Sequence, residues 1–212
     1  MKRWSPEVKL IFVTPEAEKI IEEAFRNCWQ SEPKPTARGE FLKRCIQKGH
    51  LSPLEFASAI FVVTGSRAYT HQQVRHRIAS YAQESQRYVK PDSDYVVIPP
   101  AIYANKEARE IFEQTIKKIF LAYEKLLELG IRKEDARYLL PNACKSKIFI
   151  SMNFRAFRHF FKLRCEKSAQ WEIRQIAKEM LKKLYSCAPA VFEDLYEKFI
   201  LASRKDLWTE RD

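Results

Sequence analysis

The sequence predicts an α+β fold: a single helix-rich domain with a small mixed or antiparallel sheet. Three observations predict it. Residues 102–129 place Ile111, Phe112, Ile116, Ile119, Phe120, Tyr123, Leu126 and Leu127 at the three-to-four-residue period of one helix face. "FRAFRHFFKLRC" and "SAQWEIRQIAKEMLKKLYSC" repeat that period further on. The β-rich runs "VKLIFVT", "EFASAIFVVTGS" and "CKSKIFISMN" are few and must pair with one another. With 212 residues, 46% of them apolar, the chain is long enough for one domain with a real core.

Each element follows from local signals. Residues 8–14 read as a strand ended by Thr14-Pro15, with Thr14 as N-cap and Pro15 opening the helix "EAEKIIEEAFRNCW". Residues 39–50 read as a helix stopped by Gly49. Residues 55–66 have strand composition, with helix the competing reading for their first half. From Ser66 to Lys90 there is no Gly or Pro, so at least the first part is expected to be helical. "DYVVIPP" (94–100) is a short strand or extended segment, and Gly130 caps the long helix. "KEDARYLLP" (133–141) is a short helix ended by Pro141, and residues 144–153 alternate as a strand with Lys145 and Lys147 outward. A last helix spans 189–200, and Phe157, Phe160, Phe161 and Leu163 predict core packing for the 154–165 helix. There is no internal repeat, low-complexity segment or linker.

Lys and Arg number 38 against 27 acids, a net charge of +11 that attracts anions without naming them. The five cysteines, Cys28, Cys45, Cys144, Cys165 and Cys187, contain no C-x-x-C pair and are odd in number. They read as reduced, mostly buried thiols of a cytoplasmic protein. "MKRWSPEVKLIFV" is too short an apolar run for a signal peptide, and no stretch approaches the roughly 20 residues that span a bilayer. No metal site is expected: His50 has no second ligand at i+3 or i+4.

The charge concentrates in residues 66–90, with five Lys or Arg against one acid, Glu84. A solvated helix face, a nucleic-acid contact or a pocket for a phosphorylated ligand would each use it. On a regular helix Gln72 and Arg75 share a face, as do His76 and Ser80. Arg75 and Arg77 would point roughly 200° apart. The order of residues narrows the choice: Arg75-His76-Arg77, seven residues, then Ser85, Gln86 and Arg87. "RHRIASYAQESQRY" resembles the signature of the flavin-dependent thymidylate synthases. "KGHLSPLEF" (48–56) resembles that family's H-x-(S/T)-P-x-E segment. "EDARYLLP", "NFRAFRHFFKLR" and "AQWEIR" resemble its later elements, in family order over about residues 40–175.

The resemblance implies residue roles. Arg75, His76 and Arg77, with Ser52, are similar to residues that hold FAD, and His50 stands beside Ser52 as a further candidate. Asn153, Phe154, Arg155 and His159 match a second FAD-contacting stretch, although the Phe154 ring belongs to a stripe read as core. Gln72, Gln73, Val74, Arg75, Glu84, Ser85, Gln86, Arg87 and Arg137 match the dUMP-binding set. Gln83 stands where either ligand could be met. Glu84 departs from the usual apolar residue and sets a negative charge beside a phosphate site. Arg164 matches the arginine placed against the uracil ring and is the catalytic candidate.

The implied reaction is reductive methylation of dUMP to dTMP. Methylene-tetrahydrofolate gives the carbon and NADPH-reduced FAD the hydride, in a homotetramer with sites at subunit contacts. Arginine's planar fork suits phosphates, and arginine cannot be a base at neutral pH. Arg164 therefore stabilises negative charge on N3-deprotonated or enolate-like uracil. Arg77 or His76 would supply a second positive group beside the reduced flavin. Ser85 is a hydrogen-bond donor in preference to a nucleophile, since nothing places a base beside it. No G-x-G-x-x-G follows a strand, so a Rossmann unit is not expected to hold FAD. The rival class is a basic helical nucleic-acid-binding protein, which explains the charge but not the ordered motifs. For the family reading, neither nucleic acid nor membrane is an expected partner.

Overall fold

A computed structural model describes residues 6–31, 38–91 and 96–202. In chain order the elements are β1 (Glu7–Val13), α1 (Ala17–Trp29), α2 (Arg38–Gln47), a 3-10 turn at Ser52–Phe56, β2 (Ser58–Ser66), α3 (Arg67–Gln73) and β3 (Ser80–Gln83). There follow α4 (Pro100–Ala104), α5 (Lys106–Glu128), α6 (Lys133–Ala136) with a 3-10 turn at Arg137–Leu139, β4 (Lys145–Asn153), α7 (Phe154–Arg164), α8 (Trp171–Cys187) and α9 (Pro189–Tyr196). A π-helical turn, Glu197–Leu201, extends α9. The four strands form one antiparallel sheet in the order β1-β2-β4-β3, as an α+β fold requires.

The chain divides into two compact units. The first holds Val63–Arg75 and Ala82–Ile148, the second Val8–Val62, His76–Tyr81 and Phe149 onward. In the first unit Val96, Ile98, Ile116, Phe120 and Cys144 form a buried cluster under α4 and α5. The 102–129 run is not one helix: Asn105 ends α4 and caps α5, its Oδ1 accepting from the Ala108 amide at 3.0 Å, and Ile111, expected on the apolar face, is exposed. Gly130, at φ 84°, closes α5 with its amide on Leu127 O while Ile131 N reaches Leu126 O. This double closure is the Schellman stop that glycine permits. In the second unit Phe154, Phe157, Phe160 and Phe161 are fully buried, with Phe192 packed edge-on against Phe154 and Phe161. Each such ring contributes roughly 1.5–3 kcal/mol by leaving water. Leu163 departs from the expected stripe and is half exposed.

Several local readings need correction. Thr14 does not cap α1: its hydroxyl donates to Ser58 O at 3.2 Å and accepts from Ser58 N at 2.9 Å, joining β1 to β2. The N-cap is Glu16, in the left-handed region at φ 48°. Residues 55–56 close a 3-10 turn before β2 begins. Helix α3 ends at Gln73, so Arg75, His76 and Arg77 do not lie on a regular helix, and the shared faces expected for Gln72 with Arg75 and His76 with Ser80 do not exist. Of the extended 94–100 segment, residues 94–95 lie outside the described residues. Val96 forms an antiparallel bridge to Cys144. In β4 the alternation holds: Ser146, Ile148, Ile150 and Met152 are buried and Lys147 is exposed. Among the described residues no helix is long and apolar enough to cross a membrane.

Candidate active site

The candidate residues fall into one set in each unit. In the second unit, α7 delivers Arg164 at its last turn because Asn153 starts the helix, its Oδ1 accepting from the Ala156 amide at 2.8 Å. Arg164 Nε donates to His76 Nε2 at 3.0 Å. The His76 ring packs edge-on against buried Phe160, centroids 4.9 Å apart, and lies 6.3 Å from the exposed His159 ring. Burial first, then the Arg164 charge and His159, push the His76 pKa down to about 4. His76 is therefore a neutral imidazole at pH 7 and an acceptor for arginine. That runs against its expected use as a positive group; of the two residues expected there, only Arg77 carries a fixed charge. Arg77 is exposed, with no hydrogen bond or ion pair to another described residue.

Ser52, exposed, opens the 3-10 turn of its motif, and Glu55 three residues on pairs with Arg155 at 2.6 Å. His50 stacks edge-on against Trp29 at 5.5 Å. Phe154 is wholly enclosed beside Phe192, and its amide donates to Ala57 O at 2.8 Å.

In the first unit, Ser66 caps α3 by accepting from the Tyr69 amide, and Gln73 turns inward to accept from the Tyr69 hydroxyl at 3.1 Å. Gln73 is fully buried and its side chain serves the core. Gln72 donates to Ala68 O, while Val74 and Arg75 are exposed just past the helix end. Gln83 donates to Thr70 Oγ1 at 2.9 Å and to Ser146 Oγ at 3.1 Å, tying the end of β3 to buried hydroxyls. Glu84 N then bonds Lys147 O at 2.8 Å, and Glu84 and Gln86 are half-buried. Ser85 Oγ accepts from the Arg87 amide at 3.2 Å. Arg87 Nε meets Glu134 Oε2 at 2.5 Å, and Arg137 Nε donates to Glu134 O at 3.0 Å.

With the geometry in place, comparison with known proteins decides the family. Residues 9–190 match the sequence profile described as thymidylate synthase complementing protein. The flavin-dependent thymidylate synthase of Geobacter sulfurreducens is 42% identical over 198 residues, covering 88% of this chain and 85% of its own. That of Nitratidesulfovibrio vulgaris is 41% identical over 214 residues, covering 91% and 87%. The chain belongs to the flavin-dependent thymidylate synthase family. It is therefore an enzyme, a methyltransferase. A UMP/dUMP methylase, PolB from Streptomyces cacaoi, solved with 5-Br dUMP, has the same fold: TM-score 0.83, 21% identity, covering 94% of this chain and 98% of that one.

For a flavin-dependent thymidylate synthase the available donors suit a phosphorylated cofactor. Arg75 and Arg77 are exposed guanidinium groups whose side chains meet no carboxylate among the described residues, which leaves their forks open to phosphate oxygens. Sequence reasoning missed three features. Glu134 stands three residues before Arg137 but carries no motif signal of its own for Arg87. Glu55 lies inside a recognised motif without an assigned partner. Arg67 opens α3, and burial followed by the Arg137 charge lowers its pKa, which sets it among the cations of the first unit.

Proposed function

We propose that this chain converts dUMP to dTMP, taking the carbon from methylene-tetrahydrofolate and the reducing equivalents from NADPH by way of FAD. The whole chain, 1–212, acts as one synthase domain. It works as a cytoplasmic homotetramer with sites at subunit contacts. One contact supports this above the rest: Arg164 held by neutral His76. A carboxylate partner would cancel the arginine's field. An uncharged acceptor fixes its direction and leaves the positive charge whole, as needed where negative charge develops on the uracil ring. Arginine keeps its proton, so it acts electrostatically and never as a base.

Arg87 and Arg137 take the dUMP phosphate, with Ser85 donating its hydroxyl and Gln72, Arg75, Gln83 and Gln86 completing the nucleotide contacts. Arg75 and Arg77, with Ser52, His159 and the Asn153–Arg155 stretch, hold FAD. The bound flavin supplies the hydride that the protein lacks. Arg155 must share its fork between Glu55 and that ligand.

The deciding experiment is an anaerobic single turnover of flavin-loaded, pre-reduced protein with dUMP and methylene-tetrahydrofolate. One dTMP per site is expected. A folded, yellow protein that forms none would overturn the assignment. No comparison supports the nucleic-acid reading, which would give a colourless protein binding DNA or RNA with steep salt dependence.

A further inference from the structure

We propose that Glu134 is a positioning residue for the nucleotide phosphate, holding the Arg87 and Arg137 guanidinium groups by their Nε sides so that their terminal nitrogens face the ligand. The proposal rests on the dUMP reading above and goes beyond it by adding an acidic residue to a phosphate site. Glu134 grips the two arginines through different atoms. Its carboxylate meets Arg87 Nε at 2.5 Å. Its backbone carbonyl accepts from Arg137 Nε at 3.0 Å. Arg132 pairs with the other carboxylate oxygen at 3.3 Å, and Lys133 reaches across to Tyr88 O at 3.0 Å. Residues 132–137 thus clasp the 85–88 loop at two points.

Exposure indicates which partner is fixed. The Glu134 side chain is 26% exposed against 55% for Arg87. The hydrogen bond from Arg132 and then the Arg87 charge hold its carboxyl below the usual range, so it stays ionised. The better-anchored, charged acid is the post, and the longer exposed arginine is what it orients. An arginine gripped at Nε keeps its Nη pair free for two phosphate oxygens. Holding the fork in advance removes rotamer freedom that phosphate binding would otherwise have to quench. The opposite effect, repulsion of the phosphate by the acid, predicts the opposite sign.

The test measures dissociation constants of dUMP and of deoxyuridine on flavin-loaded protein. The chains compared are the unaltered one, Glu134→Gln, Glu134→Ala, Arg87→Ala and the double variant Arg87→Ala/Glu134→Ala. Flavin content and circular dichroism establish folding, and Glu134→Gln, which keeps shape and an acceptor, covers any variant that fails there. Glu134→Ala should weaken dUMP about 10-fold, with Glu134→Gln intermediate. Deoxyuridine, which has no phosphate, should bind as before. In the Arg87→Ala background the Glu134 change should add almost nothing, because its action passes through Arg87. Unchanged or tighter dUMP binding in Glu134→Ala, an equal loss for deoxyuridine, or full additivity in the double variant each overturns the proposal. If the unaltered flavin-loaded protein binds no dUMP, the substrate reading fails and takes this inference with it. dUMP binding that is intact and insensitive to Glu134 sinks the inference alone.

Discussion

In the second unit Arg164 leans on an uncharged imidazole packed against Phe160. In the first, Arg87 leans on a carboxylate at a surface where the arginine is more than half exposed. Burial accounts for the difference. Desolvation excludes a charge from His76, so the cation beside it keeps its full field. Water around Glu134 permits a full charge, which orients Arg87 and offsets part of its field. In the proposed roles, a neutral partner suits Arg164, which would act on developing charge, and a charged partner suits Arg87, which would be aimed at a permanent anion.

The largest effect that would break this contrast is expected at Arg164. Arg164→Lys keeps the charge but loses the planar fork and the Nε donor to His76. Its kcat should fall about 10²-fold or more, while flavin reduction by NADPH survives. Steady-state kinetics would refute the activating role if only the KM for dUMP moved.

A smaller effect sharpens the His76 side. The folded pKa, about 4, lies below the ordinary 6.5, so folding favours the neutral ring. That contribution is complete above pH 6.5 and is lost as pH falls from 6.5 through about 4. The ring is only half-buried and solvent screens it, so the loss should be on the order of 1–2 kcal/mol. Urea unfolding at pH 7 and pH 4.5 would detect it, and His76→Asn should remove that part of the pH dependence. An identical slope in the variant would contradict the assignment.

The smallest effect is expected at the exposed pair Glu55–Arg155, whose side chains are 49% and 50% exposed. Glu55→Gln should cost about 0.2–1 kcal/mol, or no more than about 4 °C in Tm. A larger drop in a thermal melt would mean that the pair is more than a surface contact.

Much of the fold was legible because its signals are local. The period of α5, Gly130, Gly49 and the alternation of β4 each act within a few residues. The end of α3 was not legible. No Gly or Pro marks it, and Val74 is the cap. Beyond it the His76 ring packs on Phe160 and its Nε2 meets Arg164, 88 positions away, and such tertiary contacts outweigh helix propensity. Thr14 misled for the same reason, since its hydroxyl found Ser58 in another strand and not its own helix. At the site, the motif pointed to His76 and Arg164, but not to the charge state of one or the bond between them. Both depend on burial. Glu134 escaped because an acid near two arginines has no distinguishing pattern until the contacts are seen.

The thiols give the molecule a built-in labelling scheme. Cys45, Cys144 and Cys165 are buried, and burial lifts all three, Cys144 and Cys165 to about 12, so little thiolate forms there in ordinary buffers. Cys28 and Cys187 are exposed, and both belong to the second unit. A maleimide dye should attach at those two positions and spare the other three. Exchanging either one for serine would leave a single attachment point, so an optical reporter could be placed without disturbing the interior.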